Sequence, residues 1–269
     1  MNDITTALSI FEEAKTRFLS LYQGTNEVTP QPLSEDARKP FWQFQEKMTD
    51  LVDALFTLRL QKNYHCCFII YRAIMEYWLK YSYLVIKYAL FDDIDVIERY
   101  SVHLRAHDYG ELNFRFEKGE GNEEPKERIK ERFFANQNIS DQSVLNRAEK
   151  EFGFATLSTK LTDLVKDLPG YGEGEEWHKY YRTRIVHFSV TSAYIHGGPI
   201  AVIDSDKQSD ENKEQVLAEY IYEGTSMWLD MTLKFFLFYC KSEKERIDLS
   251  ELGGTYKDRL EEVLIDGMK

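Results

Sequence analysis

Residues 64–91 form the most apolar stretch of the chain, and their length admits two very different folds. A run this long could cross a bilayer, but Arg72, Glu76, Lys80 and Lys87 interrupt it. Charged side chains at the depth of lipid tails are costly and rare, so the interruptions predict a buried helix and no membrane span. Apolar residues run nearly all round this helix, which marks it as the central element of a bundle.

Periodicity places the other helices around it. Leu8, Phe11, Ala14, Phe18 and Tyr22 recur at three- and four-residue steps over 3–23, and Gly24 supplies a stop. A loop follows to Ser34, a candidate N-cap, and Phe44, Met48, Leu51, Leu55 and Leu58 define a helix over 35–61. Pro169 to Gly174 is a break, so a helix is expected over 175–196, ending at Gly197-Gly198-Pro199. Val216, Tyr220, Met227, Leu233, Phe236 and Leu237 mark another over 213–241. Short helices are expected near 125–135, 141–152 and 157–167. Only 6 prolines and 14 glycines occur, too few for a chain of many short strands. The expectation is an all-α fold, a helical bundle of about five long helices. It forms one domain over 1–269 with its core at 35–240, and the tail 242–269 adds a short helix. The Glu/Lys-rich stretch 108–140 reads as an exposed, charged insertion with too few apolar residues for a second core.

Net charge is −12, so a general basic surface for nucleic acid is excluded and only a local basic site remains open. The three cysteines, Cys66, Cys67 and Cys240, form no C-x-x-C and fit a reducing cytosol. Met1-Asn2-Asp3-Ile4 shows no basic region leading into an apolar run, which also points to a cytoplasmic location.

The helix over 175–196 carries the densest chemistry. At about 100° per residue, Tyr181, Ile185, Phe188, Ser192 and Ile195 share an inward face. His178, Arg182, Ser189 and His196 form a polar strip beside it. Thr183, His187, Val190 and Tyr194 lie opposite, flanked by Arg184, and their semi-apolar character predicts a cover from another segment or a second subunit. A histidine titrating near neutrality can move the ribose 2′-hydroxyl proton or protonate the leaving oxygen, while a guanidinium clamps phosphate. Arginine and histidine therefore suffice for RNA cleavage without a metal. The bland alternative is that these are salt-bridge partners or satisfied core groups.

The stretch Tyr181-Arg182-Thr183-Arg184-Ile185-Val186-His187-Phe188 resembles the Arg-x4–6-His motif of the HEPN (higher eukaryotes and prokaryotes nucleotide-binding) superfamily, with Thr183 where many members carry Asn. The resemblance implies an α-helical bundle, a homodimer with motif helices facing each other, and a metal-independent endoribonuclease of a defence or toxin–antitoxin system. On this reading Arg182 contacts phosphate, His187 is the acid/base residue and Glu76 supports them; RNA is the substrate and an antitoxin or other protein a partner. Other members are inactive binding modules. Tyr71-Arg72-Ala73-Ile74-Met75-Glu76 and Ser192-Ala193-Tyr194-Ile195-His196 also resemble the Arg-x3-Glu and Ser-x3-His signatures of an uncharacterised helical family. That nominates a different pocket: Arg72, Glu76, Ser192 and His196. The alternative function is a non-catalytic helical binding protein.

Arg72 and Glu76 stand four apart and read most simply as a buried ion pair. His103 and His107 have ligand spacing but lack a third ligand, and Tyr109-Gly110 reads as a break. Asp92, Asp93 and Asp95 lack the glycine and oxygen ligands of a calcium loop. Gly172 and Gly174 form no phosphate loop. No metal and no cofactor is expected.

Overall fold

The computed structural model describes residues 4–25, 35–117, 126–136, 139, 141–166, 181–186, 188, 210–237 and 243–265. Among the described residues every regular element is helical and there is no strand, as the sequence predicts. In chain order the helices are α1 Ile4–Thr25, α2 Glu35–Leu60, α3 Tyr64–Leu90, α4 Val96–Glu117, α5 Lys126–Asn136, α6 Gln142–Phe152, α7 Phe154–Lys166, α8 Asp210–Leu237 and α9 Glu243–Leu264. Residues 181–186 are helical as well, while the rest of the helix expected over 175–196 lies outside the described residues except Phe188. No helix among the described residues is long and apolar enough to cross a membrane.

The expected count of long helices needs correction. Six helices of 22 residues or more are described, because α4 and α9 are both long. The apolar residues of α4 (Val96, Ile97, Tyr100, Val102, Leu104, Ala106, Tyr109, Leu112, Phe114, Phe116) do not recur on one stripe, so periodicity gives no signal there. Gly110 lies inside α4 and does not break it; one glycine in a helix costs about 1 kcal/mol, too little to end it. The tail is not a short appendage either. Helix α9 buries Leu249, Tyr256, Leu260 and Leu264 and packs on α1 and α8.

The chain forms two compact units: residues 1–81 with 179–269, and residues 82–178. In the first, α8 packs on α2 and α9, and α1 lies against α9, α8 and α2. Of the stripes read from sequence, Phe11, Ala14 and Phe18 on α1 and Phe44, Met48, Leu51 and Leu55 on α2 are buried there, while Leu8 and Leu58 are half-buried. The Tyr22 side chain lies outside the described residues. Phe11 meets Trp228 edge-on at 4.9 Å and stacks on Phe56 at 5.5 Å. Burying such rings contributes about 2–3 kcal/mol each, so this cluster is a main source of the unit's stability.

In the second unit α4 packs on α6 and α6 on α7. Phe152 sits edge-on to Tyr83 and Tyr100, and Tyr109, Ile139 and Leu145 gather Phe133 and Phe134 into a small cluster. Both flanks of the stretch expected as an exposed insertion thus contribute packed side chains, while 118–125 lies outside the described residues. Asp93 is engaged by Arg99 through two bonds of 3.0 and 2.8 Å, and Arg99 also reaches Glu151 at 3.1 Å. Arg99 and the Lys87 ammonium hold the Asp93 carboxyl below its usual range.

Candidate functional site

Helices α3 and α8 meet along a seam whose geometry follows from a seven-residue spacing. Tyr64, Tyr71 and Trp78 are two helical turns apart, so they fall on one face of α3. Each donates to a carboxylate on α8: Tyr64 to Glu214, Tyr71 to Glu223 and Trp78 Nε1 to Asp230 at 2.7 Å. The order of the pairs shows that the two helices run in the same direction. Each carboxylate also meets a cation: Arg59 at Glu214, Arg184 at Glu223 and Lys234 at Asp230. Each carboxylate is thereby matched by a cation and a neutral donor, which offsets the desolvation of the least exposed of them, Glu223, most of all.

Segment 181–188 is fastened to the middle of this seam. Tyr181, 1% exposed, stacks on Trp78 at 5.0 Å between ring centres. Arg184 forms an ion pair with Glu223, their side chains 10% and 14% exposed. Phe188 lies under the Arg72 guanidinium at 4.8 Å. Below them Tyr71 stacks on Tyr220 with centres 4.1 Å apart, and its burial, with Glu223 alongside, pushes the phenol's pKa well up. Tyr71 therefore stays neutral and serves as a donor.

This arrangement corrects the face assigned to Arg184. Tyr181, Arg184 and Phe188 form the buried stripe, with Ile185 beside them, so Arg184 points into the protein and does not flank the opposite face. A residue three after Tyr181 is within about 60° of it, close enough for a buried carboxylate to draw it inward. Arg182, Thr183 and Val186 are exposed, so their side of the segment has no full cover among the described residues.

The two pockets nominated from sequence are described unequally. Arg182 is exposed; His187, Ser192 and His196 lie outside the described residues. Arg72 and Glu76, expected as an ion pair, take different partners. Glu76 accepts from Lys80 at 2.8 Å, while Arg72 stacks on Phe188 and has no carboxylate partner among the described residues. Both pairings were available at i,i+4 spacing, and glutamate N-terminal to its cation is the more favourable order. Among the described residues no group of three or more His, Cys, Asp or Glu is placed to hold a metal ion. His103 packs with Tyr100 and Phe152, and the His107 side chain lies outside the described residues. Cys66 and Cys67 are free, and burial raises the Cys67 thiol to about 11; Cys240 is not among the described residues.

Sequence reasoning missed Glu223 and Tyr71, the two residues that hold Arg184. The 64/71/78 spacing was a local signal for the donors, but nothing near Glu223 in the chain announces its partners.

No family model matches the chain. Neither does any curated protein or solved structure.

Proposed function

We propose that the chain is a HEPN-like, metal-independent endoribonuclease of a defence or toxin–antitoxin system, acting as a homodimer. The observation that carries this reading is the contrast between neighbours: Arg182 is exposed, while Tyr181 and Arg184 on either side are buried and bonded. A guanidinium presented by a segment fastened at both flanks is pre-positioned for phosphate, with little orientational freedom to lose. His187 is the acid/base partner. On one straight helix Arg182 and His187 are about 140° apart, so they share one site when the long Arg182 side chain wraps round or, in the dimer proposed, when a second copy supplies one of the two. The exposed Thr183 and Val186 offer a surface for that copy.

The test is cleavage of RNA in EDTA by wild type, Arg182→Ala, His187→Ala and His196→Ala. Arg182→Ala and His187→Ala should lower the rate by roughly 10²–10⁴-fold, with His196→Ala near wild type. Mixing the two inactive variants should restore about a quarter of wild-type activity, because half the dimers are mixed and each has one intact site. Absence of cleavage, or equal rates for all proteins, defeats the assignment.

A second reading, a non-catalytic binding module, is favoured by Arg72. Its Nε is buried without a hydrogen-bond partner among the described residues and its guanidinium meets an aromatic ring, an arrangement suited to an anionic group of a ligand. Loss of ligand binding in Arg72→Met, in a protein that cleaves no RNA, would favour this alternative.

A further inference from the structure

A cleft of about 620 Å³ opens between α1, α2 and α8, sharing no residue with the Arg182 segment. Its volume falls in the range that takes a small organic ligand. Phe18, Trp42, Trp228 and Phe236 line it with aromatic rings. Trp228 commits its Nε1 proton to Thr49 at 2.8 Å, so it offers the cleft a ring and no donor.

The polar lining is biased in one direction. Glu12, Glu46 and Asp50 bring three carboxylates, and Lys15 is the one cation. Lys15 is already held by Asp53 and Glu12, both at 2.8 Å. Glu46 and Asp50 have no ion-pair partner among the described residues. The cleft is therefore acidic as well as aromatic.

The second observation is a buried amide. Gln45 lines the cleft, is 6% exposed, and its Nε2 donates to Thr232 Oγ1. Thr232 gives its own proton to the Trp228 carbonyl at 2.8 Å, so its oxygen can only accept. That fixes the amide orientation and leaves Gln45 Oε1 as a buried acceptor with no hydrogen-bond partner among the described residues. An unsatisfied buried acceptor is costly, and a ligand donor would relieve it once the Gln45 side chain turns its covered oxygen toward the cleft.

We infer that this cleft binds a small organic ammonium with an aromatic or apolar body. The rings take the body, the cation finds aromatic faces and the Glu46 and Asp50 carboxylates, and an N–H satisfies Gln45 Oε1. An anion meets the opposite, repulsion from the Glu46 and Asp50 carboxylates.

Calorimetry with 2-phenylethylammonium, 3-phenyl-1-propanol and 3-phenylpropionate at pH 7 tests this. The ammonium should bind at least about tenfold tighter than the alcohol, with the carboxylate weakest. Glu46→Gln with Asp50→Asn should reduce ammonium affinity by about five- to tenfold and leave the alcohol unchanged. Gln45→Leu should weaken the ammonium while helical circular dichroism and melting stay close to wild type. If Gln45→Leu unfolds the protein, the surface double variant alone decides. Equal binding of the three probes, failure of the ammonium to bind, or an unchanged affinity in the double variant overturns the proposal. RNA cleavage is unaffected by these changes on either outcome, so this test and that of the nuclease reading fail independently.

Discussion

The two units treat buried charge differently. In the first, Arg184 and Glu223 have side chains only 10% and 14% exposed, and Tyr71 donates to the same carboxylate. In the second, Arg99 joins Asp93 and Glu151 with side chains 36%, 21% and 17% exposed. One is a closed contact that fixes a segment, the other a half-open network between α4, α6 and the turn before α4. Removing one member of a closed pair strands a charge without water, whereas a half-open network lets water replace what is lost. The first arrangement is brittle and positions its segment tightly; the second is tolerant.

The largest expected effect tests that brittleness. Glu223→Gln should destabilise the protein by about 3–5 kcal/mol in urea unfolding, because Arg184 stays buried without its counter-charge. The double variant Arg184→Met with Glu223→Leu should recover most of the loss, since an apolar pair of similar volume avoids the desolvation cost. An equal loss in both would mean that packing, and not stranded charge, sets the penalty.

How much of this could be read beforehand varies with range along the chain. The stripes Phe11–Ala14–Phe18 and Phe44–Met48–Leu51–Leu55 were legible because amphipathic period is a local property, and the structure buries them. Helix α4 was not, since Tyr100 and Tyr109 pack into separate clusters and leave no single stripe. Arg184 was misplaced because phase alone does not separate the edge of a stripe from its flank. The residue that decides it, Glu223, is 39 positions away. Local spacing proposed both Arg72–Glu76 and Glu76–Lys80, and only their orientation preference tells them apart.

A smaller effect belongs to the second unit. Asp93→Asn should cost about 1 kcal/mol, as expected for a partly exposed ion pair within a network. Its pH dependence sharpens the contrast. Because Arg99 and Lys87 lower the Asp93 pKa from its ordinary value of 3.8, its contribution is present above that value. It is lost as pH falls through the lowered value in the folded protein. Urea midpoints measured from pH 6 down to pH 2 should therefore converge for wild type and Asp93→Asn at the acid end. Parallel curves across that range would remove the ion pair from the account.

The smallest effects compare one glycine from each unit. A Cβ on Gly253 in α9 would lie 2.5 Å from Leu233 Cδ1 on α8, whereas a Cβ on Gly110 in α4 meets nothing within 4 Å. Both positions are helical, so alanine brings the same gain in backbone propensity, about 1 kcal/mol. At Gly110 that gain stands alone, and Gly110→Ala should raise the melting temperature. At Gly253 the obstacle is the end of a leucine side chain, which can rotate at a cost of about 1–3 kcal/mol for overpacking. Gly253→Ala should therefore be neutral to destabilising by about 2 kcal/mol. Leu233→Ala would cost more by itself, yet in combination it should remove the penalty at Gly253, as a double-mutant cycle measures directly. A stabilised Gly253→Ala would show that the α8–α9 contact yields as readily as the open face of α4. The contrast between a tight first unit and a tolerant second one would then be confined to its ion pairs.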